Sequence, residues 1–404
     1  MDCLYFDHNA TTPLLPQVRD AIWPYFTEHF GNPASLHQPG RRARTAIETA
    51  RAQVAALIGA EPEEIIFTAG GTESDNFALL GSLETLRPQG RHLITTSVEH
   101  LAVLDSCRYH ERHGGTVSYL PVNASGQIDL AELEAAIRPD TVLISVMWAN
   151  NETGVLFPID AVAAVARRHG IRLHSDAVQA LGKVPIDVRR TPVDLLSLSG
   201  HKIGAPKGVG ALFVRRGTAI SPYLHGGHQE GGLRAGTHHV AGIVGMGTAC
   251  DWIRPRLSQE NQRQRALLRQ LEDGIRAAVP EVLRNGDPQS CLPNTLNLSF
   301  PQIEGEGLLL GLDLVGIAAS SGSACTSGRA GASHVLSAMG VPGARLHSSV
   351  RLSLGYQTSE AEVAALLQRL PAVVGRLQSL SLPADVDLSL FDCPVIECLL
   401  ADHD

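Results

Sequence analysis

The segment DLLSLSGHKIGAPKGVGALFV, residues 194–214, runs an apolar strand pattern into a glycine-rich turn that carries Ser199, His201 and Lys202. A lysine delivered to such a place can be desolvated and become a nucleophile toward carbonyl carbon, and its commonest cofactor partner is the aldehyde of pyridoxal phosphate. That cofactor asks two further things of a protein: an acid opposite the pyridine nitrogen, and hydroxyl or amide donors at the phosphate. Asp176 and Gln179 follow the strand pattern IRLH, at a position where a carboxylate is more often a turn or cap residue. The run EIIFTA leads into GGTESDN, where Gly71 and Thr72 open a helix whose amides, dipole and hydroxyl could face a phosphate. Taken alone, those residues read as a tight turn with Thr72 or Ser74 as the cap. His100, in SVEHLAVL, ends another strand pattern and could lie against the ring, although a lone histidine is more often structural. Lys202, Asp176 and the set Thr72, Ser199 and His201 supply all three needs together, and the constellation is more specific than its members.

Such a site needs strands whose ends converge. EIIFTA, HLITTS, TVSYLP, TVLISVMW, IRLHSDA, DLLSLSG and GALFVRR read as strands, and amphipathic helical patterns such as ESDNFALLGSLETL and IDAVAAVARRHG lie between most of them. This alternation over residues 64–214 predicts an α/β domain with a mainly parallel sheet, in which ligands bind beyond the carboxyl ends of the strands. Past about residue 255 a long charged helix, SQENQRQRALLRQLEDGIRAA, opens a second, smaller domain. With 404 residues, 44% of them hydrophobic, the chain can bury both cores. A net charge of −8 without a block of Lys and Arg gives no footprint for nucleic acid, and no apolar run is long enough to span a bilayer. The start, MDCLYFDHNATTP, lacks the features of a signal peptide, so a soluble cytoplasmic protein is expected. Seven scattered cysteines, with no C-x-x-C pair, argue for reduced thiols rather than a disulfide framework.

In order along the chain, YFDHNATTPL, GNPASLH, FTAGGTESDN, NNETGV, HSDAVQALGK, SGHKIGAPKGVGAL, SSGSACTSG and HSSVRLSLG resemble the motifs of group I cysteine desulfurases. These are the IscS/NifS type within the class V aminotransferase-like enzymes that use pyridoxal 5'-phosphate, and the resemblance runs from residue 4 to about residue 380. It implies the type I aminotransferase fold: a large domain over residues 13–255 with a seven-stranded sheet, and a small α+β domain from residues 1–12 and 256–380, followed by a tail, 381–404. It also implies a homodimer. Carried over position by position, Lys202 binds the cofactor aldehyde, Asp176 faces the pyridine nitrogen, and His100 stacks on the ring as acid or base. Asn151 and Gln179 reach the ring oxygen and the substrate side. Gly71, Thr72, Ser199 and His201 hold the phosphate together with Thr237 from the other subunit, and Arg351 clamps the substrate carboxylate.

The resemblance makes Cys325, in IAASSGSACTSGRAG, the sulfur acceptor. A thiol that meets substrate sulfur in a buried site and then delivers it outside must travel, and a loop of small residues with Gly322 and Gly328 offers little burial to hold it back. The expected reaction takes L-cysteine to L-alanine, leaves a persulfide on Cys325 and passes it to an acceptor protein such as an iron–sulfur scaffold. No resident metal is implied; Cys325 could at most hold an iron–sulfur cluster transiently. A selenocysteine lyase or another class V enzyme would keep Lys202 and Asp176 without needing a travelling Cys325, and a non-catalytic scaffold of a sulfur-transfer complex would need neither. Departures from the family pattern bear on what can be inferred about partners. VRRGTAISPYL carries only Arg215 and Arg216 where IscS-like chains have an arginine-rich stretch, and Gly231 stands where they have arginine. The tail, with Cys393, Cys398 and His403, matches no usual family ending and reads as loosely ordered rather than metal-binding.

Overall fold

The computed structural model describes residues 3–321 and 332–380; Cys325 and the tail with Cys393, Cys398 and His403 lie outside them. Twelve strands are described: β1 Leu4–Tyr5, β2 Ile65–Thr68, β3 His92–Thr96, β4 Thr116–Leu120, β5 Thr141–Ser145, β6 Arg172–Asp176, β7 Leu195–Ser199, β8 Gly210–Val214, β9 Leu283–Asn285, β10 Thr295–Ser299, β11 Ile317–Ala318 and β12 Ser349–Ser353. The large sheet has the order β2-β8-β7-β6-β5-β3-β4, and it is parallel except where β8 runs against β2 and β7. The seven strand patterns of the sequence are its seven strands.

Side chains alternate between two cores. Ile65, Phe67, Leu196, Leu198, Ala211 and Phe213 point into one layer of helices, and Ile66, Leu195, Leu212 and Val214 into the other. Burial on both faces is why these strands read as continuous apolar runs rather than alternating ones.

A third core gathers around the antiparallel sheet β12-β10-β9 and the helices Leu257–Ala278, Gly305–Leu314 and Glu360–Leu380. Leu4 and Phe6 belong to it, because β1 pairs in parallel with β11. Leu292, Val335, Leu336 and Met339 instead pack into the large core. The start of the chain crosses from one core to the other. Asp7 bridges to Ser353, and five residues on, Thr12 N–H donates to His201 O at 3.0 Å while Thr12 Oγ1 accepts from Gly204 N at 2.7 Å. Gly204 sits at φ +80°, and a Cβ there would come within 2.5 Å of Leu15 Cγ, so both conformation and space require glycine.

The loop carrying Thr237 is fixed by a buried ion pair. Glu230 takes Arg51 through both guanidinium nitrogens at 2.7 and 2.8 Å, accepts Phe67 N–H at 2.8 Å, and meets His238 Nε2 at 2.8 Å. The Arg51 and Glu230 side chains are only 11% and 1% exposed. Burial alone would raise the Glu230 pKa, but the Arg51 and His238 bonds and the Phe67 amide outweigh it and hold the carboxyl at about 2. Replacing Glu230 by alanine leaves the buried guanidinium with only the more exposed Glu48 and the Ile65 carbonyl, and we expect a loss of about 3 kcal/mol in chemical denaturation. Because the folded pKa is depressed, this contribution is complete above the ordinary value of 4.5 and disappears as pH falls toward about 2. Wild type should therefore lose stability in that window more steeply than Glu230→Ala, and parallel acid-unfolding curves would contradict the assignment.

Candidate active site

The carboxyl ends of β6 and β7 lie side by side, and each delivers one candidate. Beyond β6, Asp176 Oδ1 accepts the Val178 N–H at 2.8 Å, so the carboxylate does close its own turn, as a plain cap would. It is also only 6% exposed. Burial pushes its pKa up, against the pull of His100 and Lys202. Beyond β7, the turn Gly200–Lys202 brings the Lys202 amine to two carbonyls, Asn9 O and Ala10 O, both at 2.7 Å. Asp176 is thus a buried acid within the field of a lysine on the neighbouring strand.

Beyond β2, the helix Gly71–Leu86 begins with no side chain capping it. Ser74 N–H makes the first intrahelical bond, to Gly70 O, and Ser74 Oγ turns to Gly70 O and Thr68 Oγ1 instead of the helix end. Neither Thr72 nor Ser74 is the cap, which leaves the first-turn amides to an outside acceptor. A Cβ on Gly71 would stand 2.7 Å from Val178 Cγ2. Ser199 Oγ is buried and has no hydrogen-bond partner among the described residues. His201 meets Thr11 Oγ1 at 3.2 Å, and burial with the neighbouring Lys202, Lys207 and Lys183 lowers its pKa to about 4. His100 caps the helix Leu101–Arg112 by accepting Ala102 N–H at Nδ1, 3.1 Å, which puts the proton of the neutral ring on Nε2. Thr72 and His100 line one open groove of about 540 Å³.

Arg351, on β12, is completely buried. Its NH1 donates to Asn151 O at 2.9 Å and its NH2 pairs with Asp7 Oδ1 at 2.7 Å, while Nε has no partner among the described residues. Gln179 donates Nε2 to Asn9 O at 3.0 Å and accepts Lys183 Nζ at 2.6 Å. Asn151, Gln179 and Arg351 therefore meet around the N-terminal segment. Thr237 does not join them: it is exposed, on the loop that Glu230 anchors. Cys325 is outside the described residues, but the chain on either side is fastened to these groups. Ser320 pairs with the Arg351 backbone, Ser333 Oγ donates to Glu152 at 2.5 Å, and His334 Nε2 donates to Glu99 O at 3.0 Å.

Sequence reasoning missed Asn9, Lys183, Asp75 and His174. His174 lies between Ser145 Oγ and Ser197 Oγ, both at 2.9 Å, with Asp75 Oδ1 3.7 Å away. Burial lowers the His174 pKa to about 3, so the ring is neutral. Asp75 is raised by burial and then by the charge of Asp176. Of the two carboxyls, Asp75 is pushed up the further, because Asp176 alone has His100 and Lys202 to favour its charge. Of the four only His174 had a sign in the sequence, a polar residue inside an apolar strand pattern, which must find partners once buried.

Residues 4–366 match the family model described as Aminotransferase class-V, and the chain belongs to that family. Among its relatives, Cysteine desulfurase 2 of Trichormus variabilis is 50% identical over 381 residues, 94% of this chain and 95% of its own length. Cysteine desulfurase NifS of Azotobacter vinelandii is 48% identical over 379 residues, 94% of each chain. A solved structure of a NifS-like protein superposes with a TM-score of 0.88 at 37% identity, covering 93% of this chain and 100% of that one. Enzymes of this class work with pyridoxal phosphate. The donor set fits that group: an amine at Lys202, a buried carboxyl at Asp176, and an unpartnered hydroxyl at Ser199 beside a helix start with unused amides.

Proposed function

We infer that this chain is a pyridoxal-phosphate-dependent cysteine desulfurase, converting L-cysteine to L-alanine and leaving the sulfur on Cys325 as a persulfide. One observation carries the reading: an amine, a buried acid and an anion cradle stand at adjoining strand ends in a chain 50% identical, over 94% of its length, to a named cysteine desulfurase. When bound, pyridoxal phosphate supplies the electron sink that makes the α-proton of the amino acid labile. Lys202 would hold the cofactor, and its Nζ would take the α-proton of the substrate. Asp176 would keep the pyridine nitrogen protonated, and His100, its tautomer set by the cap it makes, would serve the ring as acid or base. Asn151 and Gln179 serve the ring oxygen and the substrate side. Gly71, Thr72, Ser199 and His201 hold the phosphate, joined by the partner subunit's Thr237. Arg351 takes the substrate carboxylate, with Nε as the N–H group that has no partner among the described residues.

The Cys325 thiolate then attacks the substrate sulfur. The carbon–sulfur bond breaks, a sulfur–sulfur bond forms, and the former substrate carbon takes a proton to become the alanine methyl group. Thiol plus cysteine equals persulfide plus alanine, so no outside oxidant or reductant enters. The persulfide passes to an acceptor protein, such as an iron–sulfur scaffold, in the cytoplasm; among the described residues no helix is long and apolar enough to cross a membrane. The working unit is a homodimer. Trp23, Phe26, Phe30 and Leu36 are 65%, 58%, 79% and 80% exposed, an apolar group that a second copy would cover.

Two variants separate cofactor chemistry from sulfur transfer. Lys202→Ala should bind pyridoxal phosphate without the absorbance of covalently held cofactor and make no alanine. Cys325→Ser should load cofactor and change spectrum with cysteine, yet form alanine slower by about two orders of magnitude or more, because a hydroxyl is far less ionised than a thiol. Normal alanine formation by Cys325→Ser, with the extra sulfur found by mass spectrometry on another cysteine, would remove Cys325 from the role. Sedimentation should find a dimer, and a fully active monomer would contradict the placing of Thr237.

A further inference from the structure

Lys183 lies just past Gln179, 7% exposed, and its amine has two acceptors, Asn9 Oδ1 at 2.9 Å and Gln179 Oε1 at 2.6 Å. Gln179 closes a ring by donating Nε2 to Asn9 O at 3.0 Å, the carbonyl that also receives Lys202 Nζ at 2.7 Å. On its other side Asn9 donates Nδ2 to Thr295 Oγ1 at 2.9 Å and to Asn151 O at 3.3 Å, and Asn151 O also accepts Arg351 NH1 at 2.9 Å. Asn9 therefore touches the lysine directly and the arginine through one carbonyl. An amide has two ends that differ only in donating or accepting, and Lys183, with Asn294 Nδ2 also donating to Asn9 Oδ1 at 3.2 Å, settles which end faces which way. With an N–H donor fixed against Oδ1, a flipped Asn9 would set donor against donor at Lys183 and acceptor against acceptor at Asn151. The same holds for Gln179.

We propose that Lys183 is a positioning residue for both halves of the reaction site, fixing the Asn9 and Gln179 amides so that Lys202 and Arg351 are held in register with each other. This rests on the roles given to Lys202 and Arg351 above. The surroundings of Lys183 oppose charge on its amine. Burial, then Lys202 and Arg351, push its pKa well below the ordinary lysine range. His8 and His201 are both pushed down to about 4, first by burial, and each feels Lys183 among its neighbours. The one carboxylate nearby on the N-terminal segment, Asp7, is paired with Arg351. The helix Leu257–Ala278 contributes an uncharged contact, Asn261 Nδ2 to Lys183 O at 2.9 Å. Charged or neutral, the amine carries at least the two N–H groups that its two acceptors require.

The test uses Lys183→Met, which keeps length and removes the donors, and Lys183→Gln, which restores one, should the first not fold. Two quantities are read on the loaded protein in a Cys325→Ser background, where turnover does not intrude: the pH midpoint of the absorbance of Lys202-bound cofactor, and the cysteine dissociation constant from the substrate-induced spectral change. The midpoint should rise by about half a pH unit, because electropositive N–H groups beside Asn9 no longer oppose charge at Lys202. Cysteine should bind roughly tenfold more weakly, because Asn151 O no longer fixes the Arg351 guanidinium. Lys183→Gln should fall between Lys183→Met and the parent. A folded Lys183→Met in which either quantity keeps its parental value overturns the proposal, whatever its melting temperature, since a merely structural lysine would lower stability and move neither. A parent protein that takes up no pyridoxal phosphate would instead sink the reading of the site as a whole.

Discussion

Asn9 bonds to both halves of this protein, and its backbone carbonyl faces the large one. It receives the Lys202 amine at 2.7 Å and the Gln179 amide at 3.0 Å, while the Asn9 side chain takes Lys183 and Asn294 and gives to Thr295 and Asn151. Lys202 comes from the large sheet and Thr295 and Arg351 from the small one. Neither sheet alone can set the distance between a lysine that handles the α-carbon and an arginine that takes the carboxylate. The N-terminal segment does so because it is a strand of the small core up to Phe6 and is hydrogen-bonded to the Lys202 turn by Thr12. Misplacement of about an ångström in such a pair is costly to catalysis, so a fully bonded strap between the sheets is worth more here than its individual hydrogen bonds.

The electrostatics follow from the same arrangement. Asp75, Asp176 and Glu99 form one set of buried acids, all pushed up first by burial, and Lys183, Lys202, Arg351, His8 and His201 form a set of bases around Asn9. Burial opposes charge in both sets, and like charges inside each add to it: Asp75 is pushed up, while His8, His201 and Lys183 are pushed down. Where the sets touch, His100 and Lys202 pull the Asp176 carboxyl back toward its charged form. A site that needs a carboxylate opposite a ring nitrogen and an amine able to lose a proton is served by this sorting. Its cost is stability, since every group in both sets is desolvated.

How much of this was legible in the sequence depended on the range of the interaction. The seven strands were visible because burial on both faces writes an uninterrupted apolar run, and Asp176, Lys202 and Gly71 were visible because the fold puts ligands at strand ends. Asp176 shows the limit of weighing one function against another, since it is both the cap of its turn and a buried acid. Asn9 and Lys183 carried no such mark. Asn9 sits in a short polar run whose partners come from residues 142 to 344 positions away, and Lys183 reads as one more surface lysine after a glycine. Arg351 was found by its motif, yet nothing in a strand pattern foretold that its guanidinium would be wholly covered and already paired with Asp7.

The departures from the IscS-like pattern also acquire a physical meaning. Arg215 and Arg216 are not equivalent remnants of a basic patch. Arg215 donates to Val193 O at 2.8 Å and Val188 O at 2.7 Å and lies over the Phe213 ring, so it closes the end of the large sheet. Arg216 is exposed, with Glu63 3.7 Å away, a weak and screened pair. Gly231 belongs to a turn in which Glu230, Gly231 and Gly232 all have positive φ, at 48°, 64° and 84°. An arginine at the middle position would adopt a left-handed backbone at a cost of about 1 kcal/mol. Glu230 tolerates that conformation because its carboxylate is fixed by Arg51, Phe67 N–H and His238. The loss of a charged side chain and the glycine pair are therefore one feature: the turn is built to press Glu230 into the core, and it presents backbone rather than a cation to whatever binds outside.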